Sequence, residues 1–210
     1  MLDLQELLFP KNLKCVWCGR EIPAHSRCCD TCAKQEQELL SQGGHDGGIL
    51  YCVPYAQPVK RLIARCKYDD SPHLAAYIAA LMAQTVRKHN TEFDLITFVP
   101  IHEKRKRSRG FDQSELLAHF LSVEMGKPCM RVLERKKNTP PLFDLNAQER
   151  KKVLKHAFVC VDPQAVRAKT VLLVDDIATT GTSLESCASL LSAAGAKTVL
   201  FAFAREMIFR

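Results

Sequence analysis

Two adjacent carboxylates, Asp175 and Asp176, stand just before a run of small and hydroxyl-bearing residues, Thr179-Thr180-Gly181-Thr182-Ser183. Such a turn points successive backbone N–H groups at one spot, and a helix opening after it adds partial positive charge. Together they make an anion site suited to a phosphate. The hydroxyls of Thr180, Thr182 and Ser183 can add hydrogen bonds. The acid pair is wrong for holding a phosphate but right for accepting hydrogen bonds from sugar hydroxyls, and it can contact a magnesium ion carried by a ligand. A phosphate cradle beside a diol-binding acid pair describes a pocket for ribose 5-phosphate.

Cysteines make the second concentration of chemistry. Cys15-Val-Trp-Cys18 and Cys29-Asp-Thr-Cys32 are two Cys-x-x-Cys knuckles separated by a short loop, a spacing that places four thiolates for tetrahedral zinc. Gly19 suits the turn after Cys18, and ligation would supply folding energy to a segment with little core of its own. Cys28 adjoins Cys29 and His25 is near, so each stands as an alternative ligand. The third concentration is basic: five of the six residues from Lys104 to Arg109 are Lys or Arg. They cannot lie in a core, so an exposed loop is expected, folding over pyrophosphate or a nucleic-acid backbone; a solvated charge run is the plain alternative.

The elements that must position these groups can be read from periodicity. Val171 to Val174 is apolar without alternation, as in a strand buried on both faces of a parallel sheet, and it sets the acid pair at the carboxyl edge where ligands of open α/β sheets collect. Leu184, Leu190 and Leu191 give the following helix an apolar side, and Gly195 ends it. Further strands are expected at Ile49 to Tyr55, Phe93 to Val99, Pro128 to Leu133, Ala157 to Val161 and Thr198 to Ala204. Helices are expected over Lys34 to Leu40, Val59 to Cys66 and Pro72 to Val86. Another begins at a capping box on Asp112 and Glu115, and a basic one spans Ala147 to His156. Helices alternating with buried strands predict a three-layered, mostly parallel α/β sheet. The glycine-rich stretch Ser41 to Gly48 reads as a linker, dividing a zinc module over 1–48 from a main domain over 49–210.

Bulk properties agree with this picture. The chain has 210 residues, 47% hydrophobic and 25% charged, enough for one packed domain with a small appendage. Its longest uncharged apolar stretch, Leu74 to Ala83, is too short to cross a bilayer. The start, Met1-Leu-Asp-Leu-Gln-Glu, has early acids and no basic lead, so no signal peptide is expected and a cytoplasmic location is. Ten cysteines then read as metal ligands and buried thiols rather than disulfides. A net charge of +7 suits an anionic ligand or nucleic acid, although a mildly basic protein needs neither.

The stretch from Val171 to Ser183 resembles the phosphoribosyl-pyrophosphate (PRPP) signature of the type I phosphoribosyltransferases. Joined to the zinc knuckles, Lys67-Tyr68, Val99-Pro-Ile-His102 and Arg109-Gly-Phe-Asp-Gln-Ser114, it resembles the ComF family over most of the chain. Members of that family are phosphoribosyltransferase-like proteins associated with natural competence and uptake of transforming DNA. The resemblance implies a type I phosphoribosyltransferase core, a mostly parallel sheet flanked by helices, behind an N-terminal zinc finger. It implies binding of PRPP with magnesium, with single-stranded DNA as a further ligand. The family's acid pair falls on Asp175 and Asp176, its phosphate turn on Thr179 to Ser183, its basic loop on Arg105, Arg109, Gly110 and Gln113, and its lysine on Lys67.

If the chain transfers a phosphoribosyl group, Lys67, Arg105 and Arg109 would stabilise the departing pyrophosphate; the sequence names no acceptor and no general base. Thr179 replaces the Asp that purine-salvage enzymes carry at this position, which argues against that branch. Further departures are Asp112 where the family has Asn, Pro140-Pro-Leu-Phe where it has a Gln-containing stretch, and Val153 for an Asn. The alternative to an enzyme is a module that kept the fold and binds single-stranded DNA, with Phe111, Tyr68 or Trp17 to stack on bases. A further alternative is a scaffold whose zinc module docks onto a competence helicase or a translocation component.

Overall fold

The computed structural model describes residues 13–23, 26–68, 72–138, 153–154 and 156–207. In chain order its elements are β1 (Leu13–Lys14), β2 (Glu21–Ile22), α1 (Asp30–Ser41), β3 (Gly44–Asp46), β4 (Ile49–Pro54), α2 (Val59–Tyr68), α3 (Pro72–Lys88) and β5 (Leu95–Phe98). They continue with α4 (Glu103–Arg109), α5 (Gln113–Met125), β6 (Leu133–Arg135), β7 (Phe158–Cys160), α6 (Pro163–Val166), β8 (Thr170–Ala178), α7 (Thr182–Ala193) and β9 (Lys197–Arg205). The main sheet has the order β3-β4-β9-β8-β5, parallel throughout except for the edge strand β3.

Residues 171 to 174 explain why the sheet is covered on both sides. All four are buried, with Leu172 and Val174 in one apolar cluster and Val171 and Leu173 in the other. Period-two alternation with apolar residues at every position leaves neither face for water. On the first face Leu62 and Ile63 of α2, Leu74 and Ile78 of α3 and Leu117 and Leu121 of α5 close the core. On the second, Leu184, Cys187 and Leu191 of α7 pack with Leu133 and Phe158 of the small β6–β7 hairpin. The result is the expected mostly parallel sheet flanked by helices.

Four local expectations change. The strand carrying the acid pair does not stop at Val174: β8 continues to Ala178 because β9 is equally long, pairing Asp175 with Ala202 and Ala178 with Arg205. The basic run is a helix, α4, rather than a loop. His102 Nδ1 accepts from Lys104 N at 3.1 Å at its start, Lys106, Arg107 and Arg109 fill its last turn, and Gly110 closes it at φ 85°. The stretch expected as a linker contains β3, which turns through Gly47-Gly48 to pair with β4. Residues 128–130 form no strand: they join β5 through the bridge of Ile96 to Cys129 and a hydrogen bond from the Thr97 hydroxyl to the Met130 carbonyl, and β6 is confined to Leu133–Arg135.

The zinc knuckles pack into the first-face core through Cys15, Val16, Trp17, Ile22 and Cys32. Arg65 of α2 donates to the Val16 carbonyl at 2.7 Å, which ties the first knuckle to the sheet's helical layer. The basic helix expected over 147–156 and the Pro140-Pro-Leu-Phe stretch fall largely outside the described residues. No helix among the described residues is long and apolar enough to cross a membrane.

Candidate functional site

The phosphate turn is built where β8 ends. Gly181 adopts φ 80°, and a Cβ there would come within 2.7 Å of Ile49 Cδ1, so both backbone and packing favour glycine. The chain can then enter α7 at Thr182, whose hydroxyl lies 2.8 Å from that of Thr180. The first N–H groups of α7 have no partner within the helix and carry the positive end of its dipole. A cavity of about 40 Å³ is lined by Asp175, Ile177, Ala178, Thr179, Thr180, Gly181, Thr182, Ser183 and Leu184.

A neighbouring cavity of about 100 Å³ shares Asp175 and Ser183 with the first. Asp176, Arg109, Gln113, Ser114, Arg135 and the strip Val99-Pro100-Ile101 complete it. The two cavities therefore meet at Asp175 and Ser183, with Asp176 on the side of the larger one. Ser114 donates its hydroxyl to Asp175 Oδ1 at 2.8 Å, and Asp176 N donates to the same oxygen at 2.9 Å. That leaves Asp175 oriented before any ligand arrives.

Asp112 fixes the far wall. Its Oδ2 accepts from Ile101 N at 2.8 Å, while Oδ1 accepts from Ser114 N and Glu115 N at 3.1 and 3.4 Å, capping α5. The carboxylate thus clamps the Val99-Pro-Ile strip to the helix that carries Gln113 and Ser114. Burial pushes its pKa up, the N–H groups of Ile101 and Glu115 oppose this, and the result is about 6.

Most of the expected ligand-binding residues come together: Asp175, Asp176 and Arg109 with Ser183 in one cavity, and Thr179 to Ser183 in the other. Arg105 is not among the residues lining either cavity; it is half-buried, close enough to Arg109 and Arg135 for their charges to influence one another. Lys67 falls on the last turn of α2, and its side chain lies outside what the structure describes.

Three contributors were not singled out from the sequence. Ser114 appears in the Arg-Gly-Phe-Asp-Gln-Ser motif but had no assigned role. Arg135 is buried, 5.3 Å from the centre of the Phe158 ring, and lines the larger cavity. Its one signal is a charge two residues after Leu133, on the buried face of β6. Arg205 stands behind the phosphate turn, donating from Nη1 to the Thr179 carbonyl at 2.6 Å.

Separate from these cavities, the sulfurs of Cys15, Cys18, Cys29 and Cys32 all lie within 4.8 Å of one another, with Cys18 and Cys29 3.9 Å apart. Four thiolates around one zinc, each about 2.3 Å from it, sit about 3.8 Å apart, so this group can hold such a metal. Cys29 N donates to Cys15 Sγ at 3.5 Å. Burial raises the Cys15 pKa, but the N–H groups of Cys18, Cys29 and Trp17 outweigh it and bring the value down to about 6. The neighbouring Cys28 is engaged elsewhere, 3.1 Å from Tyr77 Oη. Trp17, considered above for base stacking, is buried and donates from Nε1 to Glu36 at 2.6 Å, and Tyr77 donates to the same carboxylate. It is a structural tryptophan, not an exposed stacking surface.

Comparison with known proteins agrees with the architecture. The family described as the phosphoribosyl transferase domain matches residues 112–204. "Competence protein F" of Haemophilus influenzae is 29% identical over 88% of this chain and 81% of that protein. "DNA utilization protein YhgH" of Salmonella typhimurium is 31% identical over 88% and 80%. "Competence protein ComFC" of Streptococcus pneumoniae is 28% identical over 81% and 77%. The sheet order and the matched region give the chain a type I phosphoribosyltransferase fold.

Two outcomes follow from this geometry. Cys29→Ser will lose the bound metal, whereas Cys28→Ser will retain one equivalent, as measured by metal content after dialysis. Asp112 has a folded pKa above the ordinary carboxylate value, so its favourable contribution is full below about pH 4 and is lost as pH rises through about 6. Relative to Asp112→Asn, the wild type will therefore lose roughly 1–3 kcal/mol of stability between those pH values in denaturant titrations.

Proposed function

The chain belongs to the ComF family, and on that premise we propose that it binds PRPP with magnesium and serves uptake of transforming DNA. The observation that carries the reading is the junction of the two cavities at Asp175 and Ser183. On this reading the turn from Thr179 to Ser183 takes the 5′-phosphate, and Asp175 and Asp176 accept hydrogen bonds from the ribose hydroxyls. The pyrophosphate lies towards Arg109, with Lys67 and Arg105 contributing charge. Magnesium arriving with PRPP would neutralise part of the pyrophosphate charge. The oxygen-rich acid pair fits that hard cation.

If transfer occurs, an acceptor displaces pyrophosphate at the anomeric carbon while positive charge builds on the ribose ring. The chain's own part is then to hold the ribose, to fix Asp175 through Ser114, and to stabilise the leaving pyrophosphate through its cations. Zinc on Cys15, Cys18, Cys29 and Cys32 would be structural. The division into a zinc module over 1–48, whose last residues lend β3 to the main sheet, and a phosphoribosyltransferase domain over 49–210 belongs to this proposal, as does a cytoplasmic location.

A second reading, direct binding of single-stranded DNA, is favoured by one observation. The bridge between His102 and Arg135 sets the start of α4 beside the end of β6. Exposed Lys104 in the first turn of α4 and exposed Lys136 and Lys137 after β6 are thus within two residues of that bridge along the chain, and exposed Arg107 and Arg109 continue the helix. Contact with a competence helicase or a translocation component would place such a surface on the DNA path.

Calorimetric titration of PRPP with magnesium will give saturable binding to the wild type and none to an Asp175→Ala/Asp176→Ala double variant; equal binding by both would sink the pocket assignment. For the second reading, affinity for a single-stranded oligonucleotide will fall steeply and log-linearly with salt. Weak binding without a salt slope would remove it.

A further inference from the structure

The segment Gly43-Gly-His-Asp-Gly-Gly48 has no part in the function above, yet it ends one side chain away from the phosphate turn. Asp46, on the edge strand β3, accepts from Arg205 Nε at 2.7 Å. Arg205 is the last residue of β9, its side chain only 8% exposed, while Asp46 is 41% exposed. From the same guanidinium, Nη1 reaches the Thr179 carbonyl at 2.6 Å and the Ala178 carbonyl at 3.4 Å. The Ala178 carbonyl also accepts from Glu206 N at 3.0 Å.

We propose that Arg205, oriented by Asp46, is the positioning residue that aims the phosphate turn at its ligand. In a trans peptide the C=O and the following N–H point in opposite directions. Drawing the carbonyls of Ala178 and Thr179 towards Arg205 therefore turns the N–H groups of Thr179 and Thr180 away from it. Two successive N–H groups on one side make the concave anion site that a phosphate needs. Arg205 is not among the residues lining the adjoining cavity, so it acts from behind the turn rather than by touching the ligand. The guanidinium lies against both turns: Cβ positions on Gly47 and Gly181 would be 3.6 Å from Nη2 and 3.8 Å from Nη1, ordinary contact distances. The hairpin turns through Gly47 and Gly48 at φ 58° and 79°, a left-handed backbone that suits glycine, and this turn lets β3 bring a carboxylate up to a nearly buried cation.

This role rests on the phosphate-binding reading of the turn, and the experiment separates the two. Ribose 5-phosphate and magnesium–PRPP are titrated against wild type, Arg205→Met, Arg205→Lys and Asp46→Ala, with melting temperature and zinc content measured in parallel. Arg205→Met will lose about ten- to a hundred-fold in affinity for ribose 5-phosphate, the scale of a hydrogen bond to a charged group. Arg205→Lys, which keeps the charge and one set of donors, will recover part of that loss, as a purely structural defect would not. Asp46→Ala, at a half-exposed position, will keep its fold and lose affinity about three- to ten-fold. If Arg205→Met does not fold, Asp46→Ala decides the matter. Wild-type affinity in the folded variants overturns the positioning role alone. Failure of the wild type to bind either ligand overturns the phosphate reading, and this role with it.

Discussion

Nine residues of β8 run parallel to nine of β9, and because the ladder continues past Val174 to Ala178, Asp175 sits on paired backbone and Asp176 is held between the paired residues Asp175 and Ile177. A carboxylate at the frayed end of a strand would have to be ordered by its ligand, at a cost in affinity. Here the cost is met in folding, by burial of Val171 to Val174 on both faces and by the neighbouring strand. The remaining parts of the site are then attached to this ladder. Ser114 reaches Asp175 from α5, Asp112 ties α5 to the strip after β5, and Arg205 of β9 reaches the turn after β8.

The pieces legible in the sequence are those whose physics is local. A run of four apolar residues, a turn rich in small residues and two cysteine knuckles each contain their own explanation, and the structure places them where that explanation predicts. Partnership across long sequence separation is harder to read. Nothing near Gly43 to Gly48 announces that Asp46 meets a residue 159 positions later, so glycines that permit a hairpin look like glycines that permit a linker. Arg135 is similar: inside Arg-Lys-Lys it reads as one more exposed charge, although strand alternation turns it inward. The basic run differs from its expected loop for another reason. Charge predicts exposure but says little about backbone, and the capping histidine and terminal glycine that make α4 a helix were both visible in the sequence.

The choice between Cys28 and Cys29 shows how the second layer decides the first. Adjacent cysteines are equivalent by spacing to within one residue. They differ because the hydroxyl of Tyr77, on α3, takes Cys28 and leaves Cys29 with the other three sulfurs. Glu36 accepts from both Trp17 and Tyr77, which joins the first knuckle, α1 and α3 in one polar cluster.

That cluster bears on what kind of object the four-cysteine segment is. Cys15, Val16, Trp17 and Leu39 share one continuous apolar cluster with Leu62, Ile78 and Phe203. A finger that merely hangs from an enzyme can be lost, swapped or replaced by another recognition module without disturbing the chemistry behind it. This one roofs the helical layer, and its chain leads directly into the edge strand that supplies Asp46. Descendants of such a protein would find this segment hard to discard, because removing it would uncover apolar surface that the helical layer buries.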